Sequence, residues 1–160
     1  MAIRIPGIIA RLHPSSTRSD SGAGIPADEL PLIFPLHPRT QKQLEAFGLA
    51  PAPNIHTTPA LPYMEFLNLW KDAAVVLTDS GGMQEETTAL GVPCLTLRDN
   101  TERPITIAEG TNKLVGTDSA RIYAETRRIM AGDRRNGRRP ALWDGRAAER
   151  IVAALPGILA

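Results

Sequence analysis

The chain has 160 residues with 18 basic against 17 acidic side chains and a net charge of +1, so it reads as a single domain large enough to bury a core. At 42% hydrophobic and 22% charged residues it is excluded from the disordered class, and its apolar runs fall far short of the roughly 18 residues a membrane span needs. One cysteine, Cys94, excludes an internal disulfide and a cysteine metal cluster, and the arginines among residues 1–11 do not suit a secretory signal, so the expected location is cytoplasmic with no membrane partner.

In chain order, residues 1–31 form an irregular opening, and 14–31 are rich in Ser, Gly, Pro and Asp with few apolar residues. Strand-sized, β-branched runs then recur at 32–34, 54–58, 75–77, 94–97 and 114–115. Helical patterns separate them. Thr40 followed by Gln43 reads as a capping box, with Gly48 as the stop. Tyr63, Phe66, Leu67 and Trp70 lie at the spacing of one helical face. A further helix starts near Gly81 and ends at Gly91, with Pro93 opening the next strand. Pro104 suits the first position of a helix, and two more helices are expected at about 120–130 and 142–155. Wholly apolar strands alternating with helices predict a doubly wound α/β domain with a parallel sheet covered on both faces, and Cys94 falls in its core.

Charge is unevenly spread. Residues 61–120 hold 4 basic and 9 acidic side chains, whereas 121–150 hold 9 arginines and 4 acids. The densest piece, Arg134 to Pro140, contains Gly and Pro and has no interleaved aromatic residues to stack on bases. It therefore reads as a solvated connection between helices, and no nucleic-acid partner is expected.

Ligands of a doubly wound sheet sit beyond the carboxyl ends of its strands, which singles out three segments. The first is Thr78-Asp79-Ser80-Gly81-Gly82-Met83-Gln84-Glu85-Glu86. Two glycines at a strand-to-helix turn let backbone N–H groups approach an anion, and Ser80 adds a hydroxyl. Glu86, just over a turn further on, is placed to accept hydrogen bonds from a vicinal diol such as ribose. A phosphate cradle with a diol acceptor points to a nucleotide. The same residues also read as a tight turn followed by glutamates that favour the helix dipole, and spacing alone leaves both readings open. Neither a Gly-x-Gly-x-x-Gly nor a Walker pattern is present.

The second segment is Arg98-Asp99-Asn100-Thr101-Glu102-Arg103-Pro104. Arg103 suits a pyrophosphate or sugar oxygen, or an ion pair with Glu102, Asp99 or Glu86; the sequence favours the pair. The third is His37-Pro38-Arg39-Thr40, where His37 is either a proton donor or a plain hydrogen-bonding residue, as is His13. His13, His37 and His56 do not fall at metal-ligand spacing, so no metal is expected.

These motifs, with Leu90-Gly91-Val92-Pro93-Cys94, Gly110-Thr111-Asn112 and Leu114-Val115-Gly116-Thr117-Asp118, resemble the C-terminal half of the non-hydrolysing UDP-N-acetylglucosamine 2-epimerases over about residues 32–120. The resemblance implies a Rossmann-like domain, the C-terminal member of a glycosyltransferase-B pair that closes over a UDP-sugar. It implies that Ser80, Gly81 and Gly82 bind the diphosphate, Glu86 the ribose hydroxyls and Arg103 the nucleotide end. His37 would lie in the cleft. Phe66 falls where the family sets a residue against the uracil, while its helical spacing equally suits core packing. The implied chemistry interconverts UDP-GlcNAc and UDP-ManNAc by eliminating UDP and adding it back, with no cofactor.

The family's acid and base carboxylates belong to an N-terminal domain that this sequence does not match, so the chain alone is expected to be inactive, with a homodimer or a separate N-terminal chain as its partner. A non-catalytic UDP-sugar binding module and a degenerate remnant are the alternatives. One departure lies at the start, where Leu12-His13-Pro14 lacks the family's arginine after the histidine, and 23 residues separate His13 from His37. That spacing predicts a crossover helix that is shortened or missing, and an exposed sheet edge.

Overall fold

The computed structural model describes residues 8–10 and 32–159. A six-stranded sheet is formed by β1 (Ile8–Ala10), β2 (Leu32–Leu36), β3 (Ile55–Pro59), β4 (Val75–Thr78), β5 (Cys94–Thr96) and β6 (Asn112–Leu114), in the order β3-β2-β1-β4-β5-β6. Helices α1 (Pro38–Ala46), α2 (Tyr63–Trp70), α3 (Gly81–Leu90), α4 (Pro104–Ala108), α5 (Ser119–Met130) and α6 (Ala147–Leu159) alternate with the strands or follow them. The expected α/β architecture is present.

β4 explains the layering. All four of its residues are buried, and alternate side chains point to opposite faces. Val76 joins Trp70, Ala73, Met83 and Val92 on one side, with Phe66, Leu67 and Leu69 packed against them. Val75 and Leu77 join Leu95, Val115 and Ile129 on the other. Each fully buried Val or Leu contributes about 1.5–3 kcal/mol, so the two clusters are the main stabilising term. Cys94 is wholly buried within β5, and burial pushes its thiol pKa up to about 11, against weaker opposing hydrogen bonds from Thr87 and Thr96.

The sheet departs from the parallel expectation at one strand. β2–β3, β4–β5 and β5–β6 are parallel, but β1 runs antiparallel to both neighbours, with Ala10 opposite Leu32 and Val75. Because Ala10 and Leu32 are paired, the end of β1 and the start of β2 lie at the same end of the sheet. β1 also occupies the interior, so the edges among the described residues are β3 and β6 rather than a gap beside β4. The expected crossover helix and most of the irregular opening lie outside the described residues.

Two helix starts differ from the sequence reading. The N-cap of α1 is His37 rather than Thr40: its carbonyl accepts the N–H groups of Thr40 and Gln41 at 2.8 and 3.0 Å, and its Nδ1 accepts that of Arg39 at 3.3 Å. Pro38, which has no donor to lose, starts the helix, and this places Thr40 inside it and buried. The C-termini follow expectation, since Gly48 and Gly91 adopt φ of 61° and 75°, the left-handed conformation that ends a helix at little cost to glycine.

The last helix starts at Ala147, five residues later than expected. Leu142 has φ 69°, and the turn after it is held by Asp144, which accepts the Arg146 N–H at 3.0 Å and pairs with Arg150. Leu142 is 69% exposed, so its side chain returns little for that strained backbone. Leu142→Gly is expected to stabilise the protein by up to about 1 kcal/mol, read as a higher midpoint in thermal unfolding; a lower midpoint would contradict it.

The arginine-rich segment is docked rather than freely solvated. Arg139 donates from Nε and Nη2 to the Ala89 carbonyl at 3.1 and 2.9 Å, near the end of α3. Arg135 donates to the carbonyls of Ala108 and Asn112 at 3.3 and 3.4 Å, and Arg138 pairs with Glu109 at 3.1 Å. Helix C-termini leave carbonyls without intrahelical partners and carry negative partial charge, so cationic forks settle there.

Candidate functional site

Parallel β2 and β4 end on the same side of the sheet, as do β5 and β6, so the residues following them line one edge. The centre of that edge is the start of α3. Ser80 is its N-cap in extended conformation, and the hydroxyl makes no capping bond among the described residues. Its own N–H is taken by Thr78 Oγ1 at 3.1 Å. The N–H groups of Gly81, Gly82 and Met83 belong to the first turn, where a helix supplies no acceptor.

A Cβ at Gly81 would meet no described atom within 4 Å, and one at Gly82 would meet only Ser80 Oγ at 3.9 Å. Among the described residues the turn therefore faces open space. No acidic side chain occupies the first turn, so the alternative reading of glutamates favouring the helix dipole there is not met; Glu85 and Glu86 lie further along. Among the described residues the start of α3 thus presents first-turn N–H groups and a positive helix end, features that suit an anion.

Glu85 and Glu86 point to different neighbours because consecutive helical residues diverge by about 100°. Glu85 Oε1 lies 3.0 Å from Arg103 Nε. This is the ion pair that the sequence assigned to Glu102, Asp99 or Glu86. Its alignment is not that of a hydrogen bond, and Arg103 Nε is buried. Arg103 Nη1 also donates to the Glu102 carbonyl at 3.3 Å.

Glu86 is half-buried and hydrogen-bonded by the Tyr63 phenol from the start of α2. Burial raises its pKa, the Tyr63 bond opposes the rise, and the negative charge of Glu85 adds to it. Phe66, one helical turn beyond Tyr63, is half-buried and packed on the cluster containing Trp70 and Met83.

Beneath the turn lies a buried polar network. Gln84 is fully buried, and its Oε1 accepts Thr101 Oγ1 at 2.5 Å and Asn112 Nδ2 at 3.2 Å. Asn112, also fully buried, donates to Thr106 Oγ1 at 3.1 Å and accepts from Thr96 Oγ1 at 2.7 Å. Thr101 Oγ1 in turn accepts the Arg103 N–H at 2.9 Å, and Thr106 Oγ1 donates to the Arg103 carbonyl at 2.7 Å. Both backbone groups of Arg103 are thus tied to side chains that reach α3 and β6.

The structure brings Ser80, Gly81, Gly82, Glu86 and Arg103 around the first turns of α3. His37 lies at the same end of the sheet, two strands away from β4, which is roughly 10 Å at ordinary strand spacing. It is exposed, and its Nδ1 serves as the α1 cap. His13 lies outside the described residues. Among the described residues no group of three His, Cys, Asp or Glu side chains could hold a metal, and no helix is long and apolar enough to cross a membrane. Sequence reasoning passed over Tyr63 as a partner of Glu86, and Gln84, Thr101 and Asn112 as one network. Their separations of 17 to 28 residues leave no local pattern to read.

Comparison with known proteins identifies the family. The sequence pattern of the UDP-N-acetylglucosamine 2-epimerase family matches residues 23–156. The UDP-N-acetylglucosamine 2-epimerase of Methanocaldococcus jannaschii is 44% identical over 128 residues, which is 78% of this chain and 34% of that protein. The Escherichia coli K12 enzyme is 35% identical over 133 residues, 79% of this chain and 35% of its own. A crystal structure of the M. jannaschii protein in complex with UDP-GlcNAc and UDP superposes with a TM-score of 0.67 at 44% identity, over 78% of this chain and 35% of that one. The chain spans about a third of the length of these relatives, and the match is consistent with their C-terminal half.

Proposed function

Because the chain belongs to the UDP-N-acetylglucosamine 2-epimerase family, we propose that it is a UDP-binding half of such an enzyme, holding the nucleotide of a UDP-N-acetylhexosamine and inactive alone. The observation that carries this reading is the start of α3, with its uncapped Ser80 hydroxyl and two glycines facing open space. The diphosphate sits there, taking the N–H groups of Gly81 and Gly82 and the Ser80 hydroxyl. Glu86 accepts the ribose hydroxyls from the next turn, and Arg103 supplies positive charge at the nucleotide end.

Phe66 borders the uracil with the edge left exposed by core packing, and His37 lines the sugar side of the cleft. Elimination of UDP and its re-addition need acid and base groups that these residues do not provide, so the site works only together with the part of the relatives that this sequence does not span. The M. jannaschii complex with UDP-GlcNAc and UDP supports the ligand class. The fully buried, lone Cys94 supports a cytoplasmic setting.

Titration calorimetry with UDP and with uridine tests the reading. UDP is expected to saturate one site, and uridine to bind at least about tenfold more weakly, because hydrogen bonds to the charged phosphates carry about 1.5–3 kcal/mol each. Equal binding of the two would remove the diphosphate from the α3 turn, and no binding by a folded chain would overturn the assignment.

A further inference from the structure

We propose that Gln84, Thr101 and Asn112 are positioning residues that hold Arg103 in register with the glycine turn of α3, so that the two halves of the anion site are preorganised as one unit. The inference rests on the nucleotide-binding reading above. Gln84 is fully buried, yet its Nε2 has no hydrogen-bond partner among the described residues. An apolar side chain of similar size would fill the same space without an orphaned donor. What Gln84 gains is a single oxygen that accepts from both Thr101, in the Arg103 loop, and Asn112, in β6.

The geometry points outward from there to one residue. Thr101 takes the Arg103 N–H, and Thr106, itself held by Asn112, takes the Arg103 carbonyl. Gln84 immediately follows Gly81-Gly82-Met83, so the side chain that anchors the loop and the backbone that presents the anion donors share one helical turn. Displacing the loop without displacing the turn would break the network at the Thr101–Gln84 bond. Such fixing matters for recognition because a ligand that finds its cation and its N–H donors already placed does not lose affinity to ordering them.

Thr101→Val, which keeps the shape and removes the hydroxyl, tests this with Thr101→Ser as the conservative control. Without nucleotide, hydrogen exchange is expected to show the Arg103 amide losing protection in Thr101→Val and keeping it in Thr101→Ser. The amides of Leu97 and Val115, bonded to the Thr78 and Thr96 carbonyls, should stay protected in both. Unchanged protection at Arg103 would overturn the proposal whether or not UDP binds.

With UDP, Thr101→Val should weaken binding about tenfold in the wild-type background and less than about twofold when Arg103 is already alanine, since a residue acting through Arg103 has nothing left to position. Equal losses in the two backgrounds would make Thr101 merely structural. Wild-type protein that fails to bind UDP at all would instead refute the nucleotide reading, and the exchange result would still decide the role of the network.

Discussion

Replacing Glu86 with alanine is expected to weaken UDP binding by about 10- to 100-fold, the worth of one or two hydrogen bonds to a charged acceptor. Only the ionised carboxylate accepts from both hydroxyls of a diol. Burial raises the Glu86 pKa, with Tyr63 opposing and Glu85 adding, so the acceptor is lost at a higher pH than for an ordinary glutamate. UDP affinity should therefore fall as pH drops through that raised value and level off above it. Glu86→Gln separates this from the ligand's own titration, because its profile keeps only the latter.

The stability effect has the opposite sign. A carboxyl whose folded pKa is raised favours folding in its protonated form, so its contribution is present below the unfolded value and lost as pH rises through the folded one. At neutral pH Glu86→Gln should consequently unfold no more readily than wild type while binding UDP less well. A variant that loses binding and folding together would show Glu86 to be structural instead. Calorimetry and thermal unfolding on the same samples decide between these outcomes.

Gly110→Ala should be the most damaging single-methyl change, costing about 3 kcal/mol. A Cβ there would stand 2.5 Å from the Thr106 carbonyl oxygen and from Thr88 Cγ2, and would press on Thr88 Oγ1 as well. Thr88 is itself buried, so it has little room to give way. Gly110 also receives the arginine segment: a Cβ on Gly137 would lie 2.5 Å from the Gly110 carbonyl oxygen and 2.6 Å from the Thr111 nitrogen. Two glycines in facing contact let the segment lie close enough for Arg135 and Arg138 to reach the carbonyls around α4. Urea unfolding measures the effect directly; an unchanged midpoint would mean that α4 can shift at no cost. Gly137→Ala should also destabilise, because the nearest atoms its Cβ would meet all belong to the backbone of Gly110 and Thr111.

By itself the sequence determined the α/β alternation, the glycine turn after β4, the helix stops at Gly48 and Gly91, and the family. These are local matters. A buried strand such as 75–78 needs consecutive apolar residues, a helix end needs a residue tolerant of positive φ, and an anion turn needs adjacent glycines. Each requirement leaves its mark within a few positions.

Tertiary structure alone decided that β1 runs antiparallel in the middle of the sheet, since three residues of Ile-Ile-Ala carry no direction of their own. It chose Glu85 over three other acids as the partner of Arg103, because α3's orientation against the loop selects which side of the helix faces it. It also turned an apparently solvated arginine run into a docked segment, because the carbonyls that hold it belong to helix ends 27 to 50 residues away. Local chemistry can be read from neighbours in sequence, whereas partners across the fold exist only once the chain has packed.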